Sequence, residues 1–271
     1  MTPVVDPELD GGHMPLMEHL FELRNRLIKM VLAIAIGAVL GWIFYDTILE
    51  FLKAPYQTNC DAKLASAVEA GEEFYDANPA CQLLVTDPLE SFRVRMTVAG
   101  YSGLALAMPV ILWQLWGFIS PGLYKRERRY GMLFVVSGVL LFALGAGLAY
   151  WSLPRALEFL DNIGGQDLVT FFSPDKYLSF VVKMMLAFGL GFEFPILLIF
   201  LQIAGLLTNQ QLREWRRYAI VGIVVLTAVI TPSGDPFTLM VLTVPMYIFY
   251  EVAIIFGRVR ARRVRTAESE A

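Results

Sequence analysis

Three glutamates stand where a carboxylate could bind a cation or take up a proton. Glu22 lies in a leucine-rich segment near the N-terminus, Glu127 in a loop rich in lysine and arginine, and Glu193 within a long apolar run. A carboxylate can hold a planar guanidinium through two parallel hydrogen bonds, a geometry that an ammonium cannot reproduce. An ionisable group inside an apolar run is costly unless it is protonated, solvated or paired. All three are therefore candidates for binding or proton chemistry.

Each of these glutamates also has a plainer structural interpretation. Glu22 precedes Arg26 by four residues, the spacing of an exposed helical ion pair that contributes less than about 1 kcal/mol. The basic neighbours of Glu127 could neutralise it, so that a ligand would have to displace an existing pair. Glu193 could be a neutral acid that is hydrogen-bonded to another helix. The sequence leaves these alternatives open.

The sequence contains no visible constellation of catalytic residues. Its two histidines, His13 and His19, precede the first apolar run, and no Ser/His or Cys/His arrangement or G-x-x-x-x-G-K stretch is found. We therefore expect neither an enzyme nor a self-contained ATPase. No cofactor, metal or nucleic acid is predicted.

The elements that position the glutamates are membrane-spanning helices. Hydrophobic residues make up 56% of the chain and charged residues 17%, whereas a soluble domain has about a quarter charged residues. About 20 apolar residues in a helix cross the hydrocarbon core of a bilayer. Six apolar runs are candidates: 27–49, 92–119, 131–151, 177–207, 218–230 and 237–257. The fifth run is short for a span, so it must thin the bilayer or pack behind neighbouring helices.

The charges of the connecting segments predict the orientation. Basic residues cluster near both termini and in the loops 120–130 and 208–217, whereas the loops 53–91 and 152–176 are mainly acidic. By the positive-inside rule, both termini are expected in the cytoplasm of a bacterial-type cell, with the acidic loops outside. Arg93 and Arg95, at the outer mouth of the second span, go against this rule. Two flexible tails are expected, at 1–14 and 259–271.

The first outer loop contains the only cysteines of the chain, Cys60 and Cys81. Two cysteines that close a short loop on the oxidising side of a membrane are expected to form a disulfide. In the chain-entropy model such a bridge contributes roughly 3 kcal/mol. Two inert, unpaired thiols are the alternative.

Leucines, glycines and prolines predict how the helices begin, pack and bend. Leu16, Leu20, Leu23 and Leu27 have the 4-3-4 spacing of an amphipathic helix at the cytoplasmic interface. Gly37 and Gly41 form a G-x-x-x-G pattern, typical of close helix packing. Prolines interrupt three runs, at positions 109, 195 and 245, and a proline inside a helix removes a hydrogen bond and kinks the helix. A bent, concave bundle is therefore expected.

Four stretches resemble, in order and spacing, the TatC family, the multispanning receptor subunit of the twin-arginine protein translocase. They are "HLFELRNRL", "PVILWQLWGFISPGLYKRERR", "SFVVKMMLAFGLGFEFP" and "ITPSGDPFTLMVLTVPMYIFYE". The resemblance runs from about His19 to Arg258, and the first outer loop is longer than usual. It implies one all-α membrane domain over 1–271, with six kinked transmembrane helices in a cupped bundle. It also implies binding of the arginine pair of signal peptides and export of folded proteins with the proton gradient.

The resemblance further implies roles for individual residues. Glu22 and Glu127 match the glutamates that bind the arginine pair, Phe118 matches an aromatic linked to recognition, and Arg24 is expected to orient the loop. Glu193 matches an intramembrane polar site for the helix of a partner subunit.

The outer turn also matches a position of the family. Asp235 corresponds to an acidic residue there, although a turn-forming Asp between Gly and Pro is equally well explained by backbone chemistry. The implied partners are single-span TatA-like subunits, with or without a separate TatB-like type, in an oligomer in the lipid bilayer.

Two other functions remain as alternatives. A proton-coupled transporter could use Glu193 as its relay, but transporters commonly contain inverted repeats with paired broken helices, and no convincing repeat is found. A passive scaffold is the third possibility. Single-span partner subunits would favour a translocase or a scaffold, and only dependence on signal peptides separates these two.

Overall fold

The computed structural model is all-helical wherever it describes regular structure. It describes residues 16–70, 81, 83–119, 131–163, 173–203, 205–232 and 234–269. Nine helices lie in these ranges: α1 (Leu16–Ile43), α2 (Tyr45–Ala70), α3 (Glu90–Ile119), α4 (Gly131–Ile163), α5 (Pro174–Phe192), α6 (Phe194–Ile203), α7 (Asn209–Glu214), α8 (Arg216–Ile230) and α9 (Pro236–Ser269). The predicted tail 1–14 and the whole loop 120–130 lie outside the described residues.

Five stretches of helix are long and apolar enough to cross a membrane. They are Leu20–Ile43, Glu90–Phe118, Gly131–Ile163, Pro174–Ile203, which joins α5 and α6, and Pro236–Val259. Large apolar side chains such as Leu144 and Val229 remain exposed along the bundle, as expected of surfaces that face lipid rather than water. The fifth predicted run, 218–230, forms α8, whose 15 residues extend about 22 Å. Its crossing of the bilayer stays a prediction.

The helices extend into segments that the sequence analysis predicted as loops or tails. α2 occupies much of 53–91, α4 continues into 152–176, α7 lies within 208–217, and α9 extends through the predicted tail to Ser269. The parts of these helices outside the apolar runs are polar and rich in alanine, lysine, arginine and glutamate. These residues favour a helix, but they do not favour burial in lipid. A search for apolar runs does not detect such helices.

A disulfide marks one end of the bundle. Cys60 of α2 is bonded to Cys81, with their Cα atoms 5.9 Å apart, and the backbone φ of Cys81 is 50°. At this end α4 meets α9 through the rings of Trp151 and Phe237, whose centroids are 6.4 Å apart. We call this end, where α3, α5 and α9 begin, the disulfide end. The opposite end, where α1 begins, is the N-terminal end.

The core lies where α4 and α5 pack between α3 and α9. Tyr177 and Phe188 of α5 and Leu153 of α4 are among its largest fully buried side chains. The Tyr177 hydroxyl donates a hydrogen bond of 2.9 Å to the carbonyl oxygen of Leu52, which ties α5 to α2. α5 is therefore the central helix of the described bundle.

Glycines allow α1 and α3 to pack at backbone contact. A Cβ atom added to Gly37 would lie 2.7 Å from the carbonyl oxygen of Gly103, and one added to Gly103 would lie 2.5 Å from the amide nitrogen of Ala38. Real Cβ atoms do not approach other atoms so closely, so neither position accepts a side chain without a backbone shift. The close packing predicted from the G-x-x-x-G pattern of α1 is confirmed.

Gly103→Ala is expected to lower the free energy of unfolding by about 1–3 kcal/mol, because the added methyl group pushes α1 and α3 apart. Gly100→Ala, also in α3, is the matched control, since a Cβ atom there meets nothing within 4 Å. Alanine favours helix over glycine by roughly 0.5–1 kcal/mol, so the control should be neutral or stabilising. Unfolding of both variants in detergent micelles measures the difference, and equal destabilisation would contradict the backbone contact.

Candidate functional site

Glu22 lies near the start of α1, at the N-terminal end of the bundle. The amphipathic segment and the first span form one continuous helix, so Glu22 is carried on the helix that enters the membrane. Arg26 contacts its Oε1 atom twice, with Nη2 at 2.5 Å and Nε at 3.1 Å. In the described part of the chain, the Oε2 atom of Glu22 has no hydrogen-bond partner. One oxygen is therefore held by Arg26 and the other is open.

Arg26 also joins this ion pair to α3. Its Nη1 atom lies 3.4 Å from the carbonyl oxygen of Gln114 and 3.5 Å from the side-chain Oε1 of the same residue. Gly117 makes room for it, because a Cβ atom there would lie 2.1 Å from Nη1. The side chains of Arg26 and Glu22 are only 21% and 25% exposed. The predicted i,i+4 pair exists, but it is anchored on a second helix rather than lying on a simple surface.

Phe118 lies at the same end of the bundle as Glu22. It is half-buried next to Gly117, which accommodates Arg26. Arg24 is placed differently: its guanidinium lies over the ring of Phe21, 5.4 Å from the centroid. Because Arg24 is only two residues from Glu22, the two side chains point to different sides of the helix. The structure thus brings Glu22 and Phe118 to one end and turns Arg24 towards Phe21.

Glu127 lies outside the described residues, but the helices that flank its loop are described. α3 ends at Ile119 and α4 begins at Gly131. Trp116 packs against this junction: a Cβ atom on Gly131 would lie 2.3 Å from its Nε1 atom, and its ring lies 4.9 Å from that of Phe134. These contacts hold the two ends of the loop together at the N-terminal end.

Glu193 lies at the break between α5 and α6. Its amide donates to the carbonyl oxygen of Leu190 at 3.1 Å, which ends α5. Pro195 has no amide hydrogen to continue the ladder, so α6 restarts at Phe194. The predicted interruption at Pro195 is confirmed, whereas Pro109 and Pro245 lie inside continuous helices.

The carboxylate of Glu193 faces α4. A Cβ atom on Gly138 would lie 3.1 Å from its Oε2 atom and 2.6 Å from Cδ1 of Leu112, so the absence of a side chain at Gly138 admits the carboxylate. The Oε1 atom is buried and has no hydrogen-bond partner in the described ranges. A buried oxygen without a partner is costly. This atom is therefore an acceptor ready for a donor from another molecule.

Asp235 caps the first turn of α9. Its Oδ2 atom accepts a 2.6 Å hydrogen bond from the amide of Thr238, and its Oδ1 atom accepts from the Thr238 hydroxyl. The side chain is fully buried, and Pro236 is the first residue of the helix. An acidic N-cap followed by proline is a favoured helix start, so capping accounts for Asp235.

Two carboxylates that the sequence analysis did not single out connect helices. Glu90 is only 2% exposed and accepts from the amides of Thr86 at 2.8 Å and Asp175 at 3.1 Å, which joins the starts of α3 and α5. Glu251 of α9 accepts from Nη2 of Arg216 at 2.7 Å, which joins α8 to α9. The sequence gives the same signal for Glu251 as for Glu193, because both are ionisable residues within an apolar run.

The relatives of the chain show which family it belongs to. A family model described as "Sec-independent protein translocase protein (TatC)" matches residues 18–245. The chain belongs to the TatC family. A TatC protein of Frankia casuarinae is 42% identical over 256 residues, covering 94% of this chain and 69% of that protein. A TatC protein of Aquifex aeolicus is 37% identical over 253 residues, covering 92% and 97%.

A solved structure has the same fold. A crystal structure of a twin-arginine translocase receptor, TatC, matches with a TM-score of 0.69 and 36% identity, covering 89% of this chain and 98% of that one. The resemblance found in the four sequence stretches and the all-α membrane architecture are thereby confirmed. The chain is a multi-pass membrane component of a Sec-independent protein translocase, with a role in transport rather than catalysis.

Asp235→Ala is expected to lower the free energy of unfolding by roughly 0.5–2 kcal/mol, because the first turn of α9 loses its cap. Asp235→Asn keeps an oxygen acceptor for the Thr238 amide and should remain close to the parent. Thermal unfolding in micelles compares the two variants. A stable Asp235→Asn variant with lost transport would contradict a purely capping role.

Proposed function

We propose that this chain is the receptor subunit that binds the arginine pair of signal peptides for a twin-arginine translocase. The observation that supports this most directly is the half-buried Glu22 carboxylate, which Arg26 fixes to α3 by one oxygen while the other oxygen is open. A fixed carboxylate with an open oxygen is suited to a guanidinium. The solved structure that the chain resembles is that of a translocase receptor.

Two carboxylates would give the proposed site one acceptor for each arginine of the pair. At Glu22, Arg26 binds the Oε1 atom, so Oε2 is the oxygen left for a guanidinium. Glu127 supplies a further carboxylate from the adjoining loop. In the proposed complex each carboxylate receives one arginine of the pair. Phe118, at the end of α3, offers an aromatic surface for the guanidinium or its aliphatic stem.

Two independent features support the proposed orientation. The N-terminal end carries basic residues such as Arg24 and Lys29, as expected of a cytoplasmic surface. The opposite end carries the disulfide, and disulfides persist on the oxidising side of a membrane. We therefore place both termini in the cytoplasm of a bacterial-type cell, with the disulfide end outside.

The proposed transport step requires partner subunits. Oε1 of Glu193 is a buried acceptor without a partner in the described residues, and a polar donor on a single-span TatA-like or TatB-like helix would satisfy it. α8 offers further surface for such a helix, since most of its apolar residues are exposed. We propose that receptor and partners form an oligomer that uses the proton gradient to export folded proteins.

Photocrosslinking from positions 118 and 127 to a synthetic arginine-pair signal peptide tests the receptor site. Strong crosslinks are expected with this peptide and weak ones with a Lys-Lys peptide, because the ammonium group lacks the planar fork. Equal labelling by both peptides would contradict recognition of the arginine pair.

Glu127→Lys should abolish signal-peptide binding and export, because it places a positive charge where an arginine must bind. Glu22→Gln should weaken binding by roughly ten-fold, the loss expected for a hydrogen bond to a charged group. Glu50→Gln, an exposed carboxylate of α2, is the control and should bind normally. Unchanged binding by Glu127→Lys or Glu22→Gln would remove that residue from the site.

Glu193→Ala should prevent copurification of the single-span partners. It should leave signal-peptide binding within about two-fold of the parent, because Glu193 lies between α5 and α6, whereas the proposed peptide site lies at the start of α1 and the end of α3. Glu158→Ala, an exposed carboxylate of α4, serves as the control. Loss of peptide binding with normal partner assembly would contradict the assignment of Glu193.

A further inference from the structure

A cavity at the disulfide end lies apart from the groups discussed above. It has a volume of about 290 Å³ and lies between α2, the extended segment around Leu83, and the starts of α3 and α5. This volume is near the lower end of the ~300–1,000 Å³ range of small-molecule sites. It could hold one flexible chain or one small group, but not a folded partner.

The lining of the cavity is amphipathic. Leu49, Leu83, Val94 and Leu178 give it apolar walls, and Lys53 lines it from α2. Apolar walls favour an alkyl group, and an ammonium beside them favours an anion. The lining therefore matches a ligand that has both parts.

Lys53 has no counter-ion among the residues that the structure describes. Its side chain is half-buried, and no ion pair or hydrogen bond joins it to a described residue. Two acidic residues of α2, Asp46 and Glu50, are exposed, and the Glu90 carboxylate is engaged by the Thr86 and Asp175 amides. A half-buried ammonium is stabilised when an anion joins it.

Large apolar side chains surround the cavity. Phe51, Leu84, Leu89 and Phe92 are large, exposed apolar residues on the elements that form it. Such a surface is unfavourable in water, so we expect it to face lipid. Two membrane-length stretches, Glu90–Phe118 and Pro174–Ile203, begin beside it, so we expect the cavity at the depth of the lipid headgroups.

Arg95 places a second cation behind one wall of the cavity. Its guanidinium lies 4.9 Å from the ring centroid of Tyr45, which lines the cavity, and 4.7 Å from that of Trp42. Tyrosine and tryptophan are typical of membrane interfaces. Arg95 thus adds a second cation near the cavity, on the far side of the Tyr45 ring from Lys53.

We propose that this cavity binds an anionic phospholipid of the leaflet at the disulfide end. The phosphate pairs with the Lys53 ammonium, and part of one acyl chain lies along Leu49, Leu83 and Val85. These residues come from α2 and the segment around Leu83, and Pro174 of α5 also lines the cavity, so the bound lipid joins three separate parts of the chain. The ligand thus braces α2 against the helices that span the membrane.

Photolabelling in nanodiscs tests the proposal on the full chain. The protein is reconstituted in phosphatidylcholine with a trace of phosphatidylglycerol that carries a diazirine in its acyl chain, and the labelled peptides are identified by mass spectrometry. Labels are expected at Leu49, Leu83 or Val85. Lys53→Gln should lower them roughly ten-fold through loss of a charged contact, whereas Lys183→Gln, an exposed lysine of α5, should leave them unchanged.

A second variant and two further ligands complete the test. Ser91→Phe fills the cavity from α3 without removing a charge and should lower labelling by a similar factor, with its fold checked by thermal unfolding. An uncharged diazirine diacylglycerol should label about ten-fold less, because it lacks the phosphate. Equal labelling by the diacylglycerol or in Lys53→Gln would overturn the proposal. So would displacement by inorganic phosphate alone, or the absence of label at Leu49, Leu83 and Val85.

Discussion

A buried polar atom that lacks a hydrogen-bond partner is costly in an apolar environment, and this constraint organises the structure. Glu90 and Asp235 meet it within the chain, since their oxygens accept from the amides of Thr86, Asp175 and Thr238. Glu193 does not meet it, since its buried Oε1 atom lacks a partner in the described ranges. Glu22 is only half-buried and is held by one oxygen. This difference separates carboxylates that build the bundle from those available to a ligand.

Glycines, which have no side chain, make these polar contacts possible. Gly117 leaves the space that the Arg26 guanidinium occupies on α3, and Gly138 leaves the space that the Glu193 carboxylate occupies on α4. The same principle acts between backbones at the α1–α3 crossing, where Gly37 meets Gly103. In a bilayer, close packing of this kind replaces much of the hydrophobic driving force that water supplies to soluble proteins. Glycine positions therefore determine where charged side chains can enter the bundle.

Hydropathy and motif spacing predicted the parts of this architecture that depend on local sequence. Apolar runs located the spans, and i,i+4 spacing located the Glu22–Arg26 pair. The contact of Arg26 with Gln114, 88 positions away in the chain, depends on tertiary packing and has no local signal. Most of α2 was not predicted, because it is helical without being apolar. Glu251 was not predicted either, although it is an ionisable residue in an apolar run, as Glu193 is. The position of Glu127 in the site stays a prediction, since its loop lies outside the described residues.

The Cys60–Cys81 bridge also bears on how the protein matures. With the orientation proposed above, both thiols are made in a reducing compartment and meet an oxidant only after α2 has been translocated. A molecule inserted upside down would keep them reduced and would lack this cross-link between α2 and the segment around Leu83. The redox state of these two residues therefore records on which side of the membrane this part of an individual chain lies.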